Sequence, residues 1–139
     1  MIAGGPRTND LQARTRHRVL VVDDYPDSAD VVRTLIELLG HDARIASSGR
    51  AALAEAYGFD PTIVILDLGL PDINGCDVAR ELRARRGGQH LHIAALTGWG
   101  QQDRRQAALS AGCDQFVLKP ASAAKIGTIL KAIPPPLGG

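Results

Sequence analysis

Apolar residues cluster in five short segments of the chain, separated by stretches with helical spacing. The segments cover residues 19–22, 43–46, 62–66, 93–96 and 116–118. Four of them are nearly continuous in apolar residues and do not alternate with polar ones, which is typical of parallel strands covered by helices on both faces. The pattern therefore predicts five strands, most of them buried.

The stretches after these segments predict five helices. The first has an apolar stripe made of Val31, Val32, Leu35, Ile36 and Leu39. Gly40 follows the stripe, at a position where left-handed backbone caps a helix. The next three helices are predicted at about residues 49–57, 74–85 and 101–111. Ser47 or Ser48 is the predicted N-cap of the second helix.

The last helix ends before three consecutive prolines, and its apolar face is Ile126, Ile129, Leu130 and Ile133. The order of elements is then (βα)₅, which predicts the α/β class and, with right-handed crossovers, a doubly wound five-stranded parallel sheet. A chain of 139 residues is the size of one domain. We expect a polar N-terminal tail at 1–16, a folded domain at 17–134 and a short C-terminal tail at 135–139.

Composition narrows the function only slightly. The chain is 45% hydrophobic and 22% charged, and its formal net charge of +1 gives no reason to expect a nucleic-acid or membrane partner. No segment resembles a signal peptide or approaches the roughly 20 apolar residues that span a bilayer, so a cytoplasmic location is expected. Cys76 and Cys113 are expected to remain thiols. The histidines lack metal-site spacing and are expected at the surface or in loops: His17, His41, His90 and His92.

Polar residues that could bind a metal or take part in a reaction lie directly after the predicted strands. Asp23 and Asp24 follow the first strand, Asp67 the third, Thr97 the fourth and Lys119 the fifth. The carboxyl ends of parallel strands share one edge of the sheet, and ligand sites of doubly wound folds form there. The five side chains are therefore expected to converge.

Three neighbouring carboxylates repel one another unless a cation neutralises them. Oxygen ligands of this kind suit Mg²⁺. An ionised aspartate can attack phosphorus, and phosphoryl transfer needs mainly positioning and charge stabilisation. Lys119 would supply positive charge on one side, and Thr97 would donate a hydrogen bond to a phosphoryl oxygen.

Each residue taken alone also has an ordinary structural interpretation. The acid pair fits a turn or helix cap, Asp67 the start of a loop, Thr97 a turn and Lys119 the surface. The joint pattern of acid pair, acid, hydroxyl and lysine at successive strand ends is much more specific, and it favours the site.

The motifs resemble those of the CheY-like receiver domains of response regulators and hybrid histidine kinases. Residues 19–24 (VLVVDD) are similar to the first strand and acidic pair of that family, and residues 65–75 (ILDLGLPDING) to its phosphoacceptor loop. Residues 95–98 (ALTG) and 116–120 (FVLKP) resemble its switch and closing segments. The resemblance covers about residues 18–133 and implies a flavodoxin-like sheet with strand order 2-1-3-4-5.

By this resemblance, Asp67 is the phosphoacceptor and also a Mg²⁺ ligand. In the family the second acid, here Asp24, usually binds the ion directly, and the first, here Asp23, often acts through water. The backbone carbonyl of Gly69 is implied to complete the metal site.

The resemblance also implies a switch. Thr97 would move toward the phosphoryl group, Phe116 would turn inward, and the surface of helix 4, strand 5 and helix 5 would change shape. The bond between Lys119 and Pro120 is expected to be cis, which only proline makes inexpensive.

The implied protein is a signalling switch that catalyses only its own phosphorylation and dephosphorylation. Its expected phosphodonor is a sensor histidine kinase or a phosphotransfer protein, and its downstream partner is an unidentified protein. Direct contacts with nucleic acid or membrane are not expected. The expected oligomeric state is a monomer or weak dimer. A stand-alone receiver and an excised receiver of a hybrid kinase both remain open.

Two positions depart from common family patterns. Trp99 is bulky two residues after Thr97, and it would either screen the phosphoryl group from water or simply pack on the fourth helix or a partner. Tyr25 follows the acid pair, where smaller polar residues are frequent. Two other classes fit the pattern less well. Haloacid-dehalogenase-like phosphatases place the nucleophile after the first strand, and flavin proteins have a phosphate loop that is not found here after Val22.

Overall fold

The computed structural model describes residues 16–85, 87–98 and 104–131. The described chain contains five strands: β1 (Arg18–Val22), β2 (Asp42–Ala46), β3 (Ile63–Asp67), β4 (His92–Thr97) and β5 (Gln115–Leu118). It contains five α-helices: α1 (Pro26–Leu38), α2 (Gly49–Phe59), α3 (Gly75–Ala84), α4 (Arg105–Ser110) and α5 (Ala123–Lys131), and one 3₁₀ turn (Gly88–His90). All strand pairs are parallel, in the order β2-β1-β3-β4-β5, so the predicted fold class is confirmed.

The continuous apolarity of the strands reflects two cores, one on each face of the sheet. Leu20 and Val64 point into the core covered by α2, α3 and α4. Val19 and Ile63 point into the opposite core, which α1 and α5 cover. Because successive side chains of a strand face opposite sides, a central strand must be apolar at nearly every position to supply both cores.

Helix α1 corrects one detail of the predicted apolar stripe. Its buried positions are Ala29, Val32 and Ile36, whereas Val31 is 56% exposed and Leu39 is 49% exposed. The buried face of the helix is therefore narrower than the predicted apolar stripe, because only positions about one turn apart contact the sheet. Gly40 has φ +93° after the helix end, as predicted.

The start of α2 follows the predicted cap at Ser48, and α3 begins near the predicted residue, with a cap at Asn74 that was not predicted. The Ser48 side chain accepts a hydrogen bond from the Ala51 N–H at 3.0 Å, and Asn74 accepts one from the Cys76 N–H at 2.8 Å. Helix α2 extends two residues beyond the predicted end, to Phe59. Three predicted parts lie outside the described residues. They are the start of the fourth helix at 101–103, the end of the last helix with the C-terminal tail at 132–139, and residues 1–15 of the predicted tail at 1–16.

The amino ends of the strands hold two histidines whose predicted location was partly wrong. His17 lies just before β1 but is buried, and its backbone N–H donates to His41 Nδ1 at 2.9 Å. A ring nitrogen of His17 lies 3.0 Å from Thr62 Oγ1. His92 lies inside β4 and is half-buried, so it is neither a loop residue nor fully at the surface.

Arg83, near the end of α3, joins two loops at the same end of the sheet. Its guanidinium donates to the carbonyl of Gly88 at 2.9 Å, to that of Leu91, and to that of Gly112 at 3.2 Å. It also forms an ion pair with Asp114 at 2.8 Å. In the part of the chain that the structure describes, no helix has both the length and the hydropathy to cross a bilayer.

Candidate functional site

Asp67 ends the most completely buried strand of the sheet. All five residues of β3 are buried, and Asp67 itself is only 5% exposed. Its Oδ2 accepts a hydrogen bond from Lys119 Nζ at 3.0 Å, and its Oδ1 accepts one from the Gly69 N–H at 2.9 Å. The carboxylate is thus held by an ammonium group from the end of β5 and by the first turn of its own loop.

The acidic pair lies beside this carboxylate. Carboxylate oxygens of Asp23, Asp24 and Asp67 all lie within 4.8 Å of one another. Asp23 is buried, and its Oδ1 accepts from the Tyr25 N–H at 2.9 Å, while Asp24 is exposed. The structure therefore brings together the three acids that the sequence placed at two different strand ends.

The donor set fits a hard divalent cation. The cluster offers three carboxylates but no histidine or cysteine, and oxygen ligands of this kind suit Mg²⁺ better than zinc. The Lys119 ammonium offsets only one of the three negative charges. The arrangement can bind a cation and leaves a buried aspartate beside it as a nucleophile.

Thr97 lies on β4, which borders β3, and Phe116 lies on β5, the next strand beyond β4. Thr97 is fully buried at the end of β4, and its carbonyl accepts from the Lys119 N–H at 2.7 Å. Phe116 is half-buried on β5 opposite Ala95, and it packs against the core under α2, α3 and α4. The bond between Lys119 and Pro120 is cis, as predicted.

A cavity of about 470 Å³ opens next to the site, between α1 and the segment after β5. Its lining includes Val31, Val32 and Leu96 together with Lys119 and Pro120, and it is mostly apolar. The exposed side chain of Val31 therefore faces a mostly apolar cavity and not a flat polar surface.

The loop after Asp67 is attached to a second element that the sequence did not reveal. Asp72 Oδ1 accepts from the Gly49 N–H at 2.9 Å, and its Oδ2 accepts from the Arg50 N–H at 3.1 Å. These two bonds, the Gly49 bond first, hold the pKa of the Asp72 carboxyl below its usual range. No local pattern signals this contact, because the partners lie 22 and 23 residues apart.

Two glycines allow α2 and α3 to approach the loop. A Cβ on Gly75 would lie 2.8 Å from the Cα of Leu68, and one on Gly49 would lie 2.9 Å from Val78 Cγ2 and 3.0 Å from Ile73 Cβ. At distances below 3.0 Å a methyl group would force the neighbouring atoms to move. The loop is therefore packed on both helices.

Of the two residues that depart from the family pattern, Trp99 lies outside the described residues. Tyr25 is 63% exposed at the start of α1. Cys76 and Cys113 are free thiols, as predicted, and burial, with Cys76 nearby, raises the pKa of Cys113 to about 11. Such a thiol is a poor nucleophile.

Comparisons with known proteins place this chain in a family. The family model described as "Response regulator receiver domain" matches residues 19–131. The transcriptional regulatory protein KdpE of Mycobacterium tuberculosis is 40% identical over 102 residues, which cover 73% of this chain and 44% of KdpE. An uncharacterized 14.6 kDa protein of Leptolyngbya boryana is 30% identical over 79% of this chain and 84% of its own length.

A solved structure is also similar. The receiver domain of a sensor histidine kinase from Pseudomonas aeruginosa PAO1, with a magnesium ion coordinated in its active-site cleft, has a TM-score of 0.76 and 28% identity. The match covers 84% of this chain and 96% of that one. This chain spans about half the length of the curated transcriptional regulators it matches.

Proposed function

The chain belongs to the family of response regulator receiver domains, whose general role is to accept a phosphoryl group in two-component signalling, and from this premise we propose that Asp67 is the acceptor. One observation carries the proposal. The Asp67 carboxylate is buried at the sheet edge, 3.0 Å from Lys119 Nζ and within 4.8 Å of the two acids that follow β1.

The proposed reaction is a direct transfer. A carboxylate oxygen of Asp67 forms a bond to phosphorus while the bond between phosphorus and the donor's imidazole nitrogen breaks, and the nitrogen keeps the electron pair. Lys119 stabilises negative charge on the phosphoryl oxygens from one side. The N–H of Gly69, already bonded to Asp67 Oδ1, keeps that oxygen oriented while Oδ2 faces Lys119.

The proposed metal ligands are Asp23, Asp24, Asp67 and the carbonyl of Gly69. Mg²⁺ held by them would neutralise the carboxylates and supply positive charge to the phosphoryl group. The solved receiver domain with magnesium in its cleft supports this assignment, as does the all-oxygen donor set of this chain.

The proposed switch passes through Thr97 and Phe116. The Thr97 hydroxyl would turn to the new phosphoryl group, and Phe116 would fill the space that Thr97 leaves. Support comes from their positions: Thr97 ends the strand next to Asp67, and Phe116 is only half-buried on the following strand. The surface of α4, β5 and α5 would then change shape and bias a partner's binding.

We propose a sensor histidine kinase or a phosphotransfer protein as phosphodonor and another protein as target, with the receiver domain at 17–134 between short tails at 1–16 and 135–139. The chain would be a switch whose only reactions are its own phosphorylation and dephosphorylation, acting as a monomer or weak dimer. A cytoplasmic location is part of the proposal, because a reducing compartment keeps thiols such as Cys76 and Cys113 free. Membership of the receiver family leaves no reason to propose a phosphatase or a flavin protein.

The test is the intact mass of the protein after incubation with acetyl phosphate and Mg²⁺. We expect the mass of one phosphoryl group on the wild type, none on Asp67→Asn, and none on the wild type when a chelator removes Mg²⁺. Asp77→Asn, which removes an exposed acid on α3, is the matched control and should keep the adduct. An adduct on Asp67→Asn, or none on the folded wild type with either acetyl phosphate or a phosphorylated kinase, would contradict the proposal.

A further inference from the structure

The corner between β2 and α2, residues 46–50, contacts both loops that carry the acidic site. The Ala46 carbonyl accepts from the Asp23 N–H at 3.0 Å, so this corner is bonded to the loop after β1. The N–H groups of Gly49 and Arg50 donate to Asp72, so it is also bonded to the loop after β3. We call residues 46–50 the β2–α2 corner.

Asp72 serves as a cap for a helix to which it does not belong. The first N–H groups of a helix lack partners within the helix and carry partial positive charge, which favours a carboxylate. In α2, Asp72 binds the first two with one oxygen each, and the Ser48 side chain binds the third, that of Ala51. Because both oxygens are used, the carboxylate is fixed in orientation as well as in position.

These bonds fix the middle of the loop after β3. At the start of that loop, the Leu68 N–H donates to the Leu96 carbonyl at 3.1 Å, which ties it to β4. Beyond Asp72, Ile73 packs against Gly49 of α2. Gly69, the proposed carbonyl ligand, lies between the attachment at Leu68 and the attachment at Asp72.

We propose that Asp72 is a positioning residue for the Mg²⁺ site: through the β2–α2 corner it fixes the Gly69 segment relative to Asp23. The proposal rests on the proposed function, because it assigns a role toward the cation that the acids would bind. It adds a residue that touches neither the cation nor the phosphoryl group. Groups that orient metal ligands typically change metal affinity by tenfold or more when they are removed.

The test separates positioning from simple helix capping. Asp72→Ala removes both bonds to α2, Asp72→Asn keeps one acceptor oxygen, and Ser48→Ala removes a cap of the same helix without touching the loop after β3. For each variant and the wild type, three quantities are measured. They are the midpoint of thermal unfolding, the Mg²⁺ dissociation constant from a titration followed by amide NMR shifts, and the rate of phosphorylation by acetyl phosphate in saturating Mg²⁺.

We expect Asp72→Ala to weaken Mg²⁺ binding about tenfold and Asp72→Asn to weaken it less. Ser48→Ala should lower the unfolding midpoint by a similar amount to Asp72→Ala, yet keep the wild-type Mg²⁺ affinity. At saturating Mg²⁺ the phosphorylation rates of the Asp72 variants should return toward the wild-type value. If Asp72→Ala does not fold, Asp72→Asn is judged by the same criterion.

Equal Mg²⁺ affinities in the wild type, the folded Asp72 variants and Ser48→Ala would overturn the inference and leave the proposed function intact. Weakened affinity in Ser48→Ala to the same degree would also overturn it, because helix capping alone would then explain the effect. A wild type that binds Mg²⁺ but takes no phosphoryl group would contradict the proposed function, and the affinity comparison would still decide the role of Asp72.

Discussion

The two ends of the same sheet differ in how their polar groups are balanced. At the carboxyl end, three carboxylates lie within 4.8 Å of one another, and the single Lys119 ammonium pairs with one of them. At the amino end, backbone groups supply many of the partners of the polar side chains. His41 accepts from a backbone N–H, and Arg83 donates to three carbonyl groups.

The difference separates a site from a structural joint. Backbone partners use up the hydrogen-bonding capacity of the amino-end residues, so those residues stabilise the fold and offer little to a ligand. The carboxyl end keeps an excess of negative charge that a cation would relieve. Changes at the carboxyl end should therefore alter phosphorylation, and changes at the amino end should alter stability.

The largest expected effect is at the carboxyl end. Lys119→Met should slow phosphorylation by acetyl phosphate about 100-fold, because in the proposed reaction Lys119 supplies positive charge to the phosphoryl oxygens. In saturating Mg²⁺ its free energy of unfolding should change by about 1 kcal/mol or less. Intact mass against time and chemical denaturation measure the two quantities.

Lys125→Met is the matched control for this change. Lys125 follows in the chain, but its Nζ donates to the Leu118 carbonyl at 2.6 Å and not to a carboxylate of the site. Its phosphorylation rate should stay within about twofold of the wild type, since its ammonium group bonds a backbone carbonyl and pairs with none of the three acids. Equal slowing by Lys119→Met and Lys125→Met would contradict a specific role of Lys119 in phosphorylation.

The second effect is at the amino end. Arg83→Met should lower the free energy of unfolding by about 2–3 kcal/mol, because several carbonyl groups lose their donor together. The phosphorylation rate of the folded variant should not change. Arg80→Met, on the same helix, removes one exposed ion pair with Asp77 and should cost less than about 0.5 kcal/mol. A phosphorylation defect in folded Arg83→Met would contradict the division between the two ends.

The smallest effect is a pH dependence at the amino end. Burial, and then the neighbouring His17, lower the pKa of His41 from 6.5, with a smaller contribution from Arg16, while Asp42 raises it. The unfolded chain therefore binds more protons below pH 6.5, so stability contributed by neutral His41 is full above that pH and declines as the pH falls. Denaturation midpoints at several pH values measure this decline.

His41→Gln should remove part of the decline in stability between neutral and mildly acidic pH. His90→Gln is the control, because His90 is exposed in the 3₁₀ turn and its change should leave the decline intact. Identical pH profiles for the wild type and His41→Gln would show that the bond from the His17 N–H to His41 Nδ1 does not depend on protonation.

Much of the fold and of the candidate site could be predicted from local sequence. Continuous apolar strands such as β3 predict burial on both faces, and this placed Asp67 at the end of a central strand. Once the strands are parallel, the positions of Asp23, Thr97 and Lys119 at one edge follow from chain order alone. Gly40 and Ser48 marked helix ends because their roles depend only on neighbouring residues.

What could not be predicted depends on contacts between distant parts of the chain. Val31 is apolar but exposed, and it lines the cavity beside α1. The periodicity of one helix cannot predict a cavity that forms between separate elements. His17 looked like a surface residue, yet its partners come from residues 24 and 45 positions away. Asp72 and Arg83 likewise acquire their roles only when separate elements meet.

The close approach at Gly49 and Gly75 has a consequence for mutational scanning. Neither residue offers an atom to the reaction, yet a methyl group at either one would collide with Val78 or with the backbone of Leu68. In a library that scores signalling, both positions should tolerate substitution as poorly as Asp67 does. Loss of signalling in such a scan would therefore have two different causes. Substitution of the acids removes carboxylate groups, and substitution of the glycines adds side-chain atoms where there is no room for them.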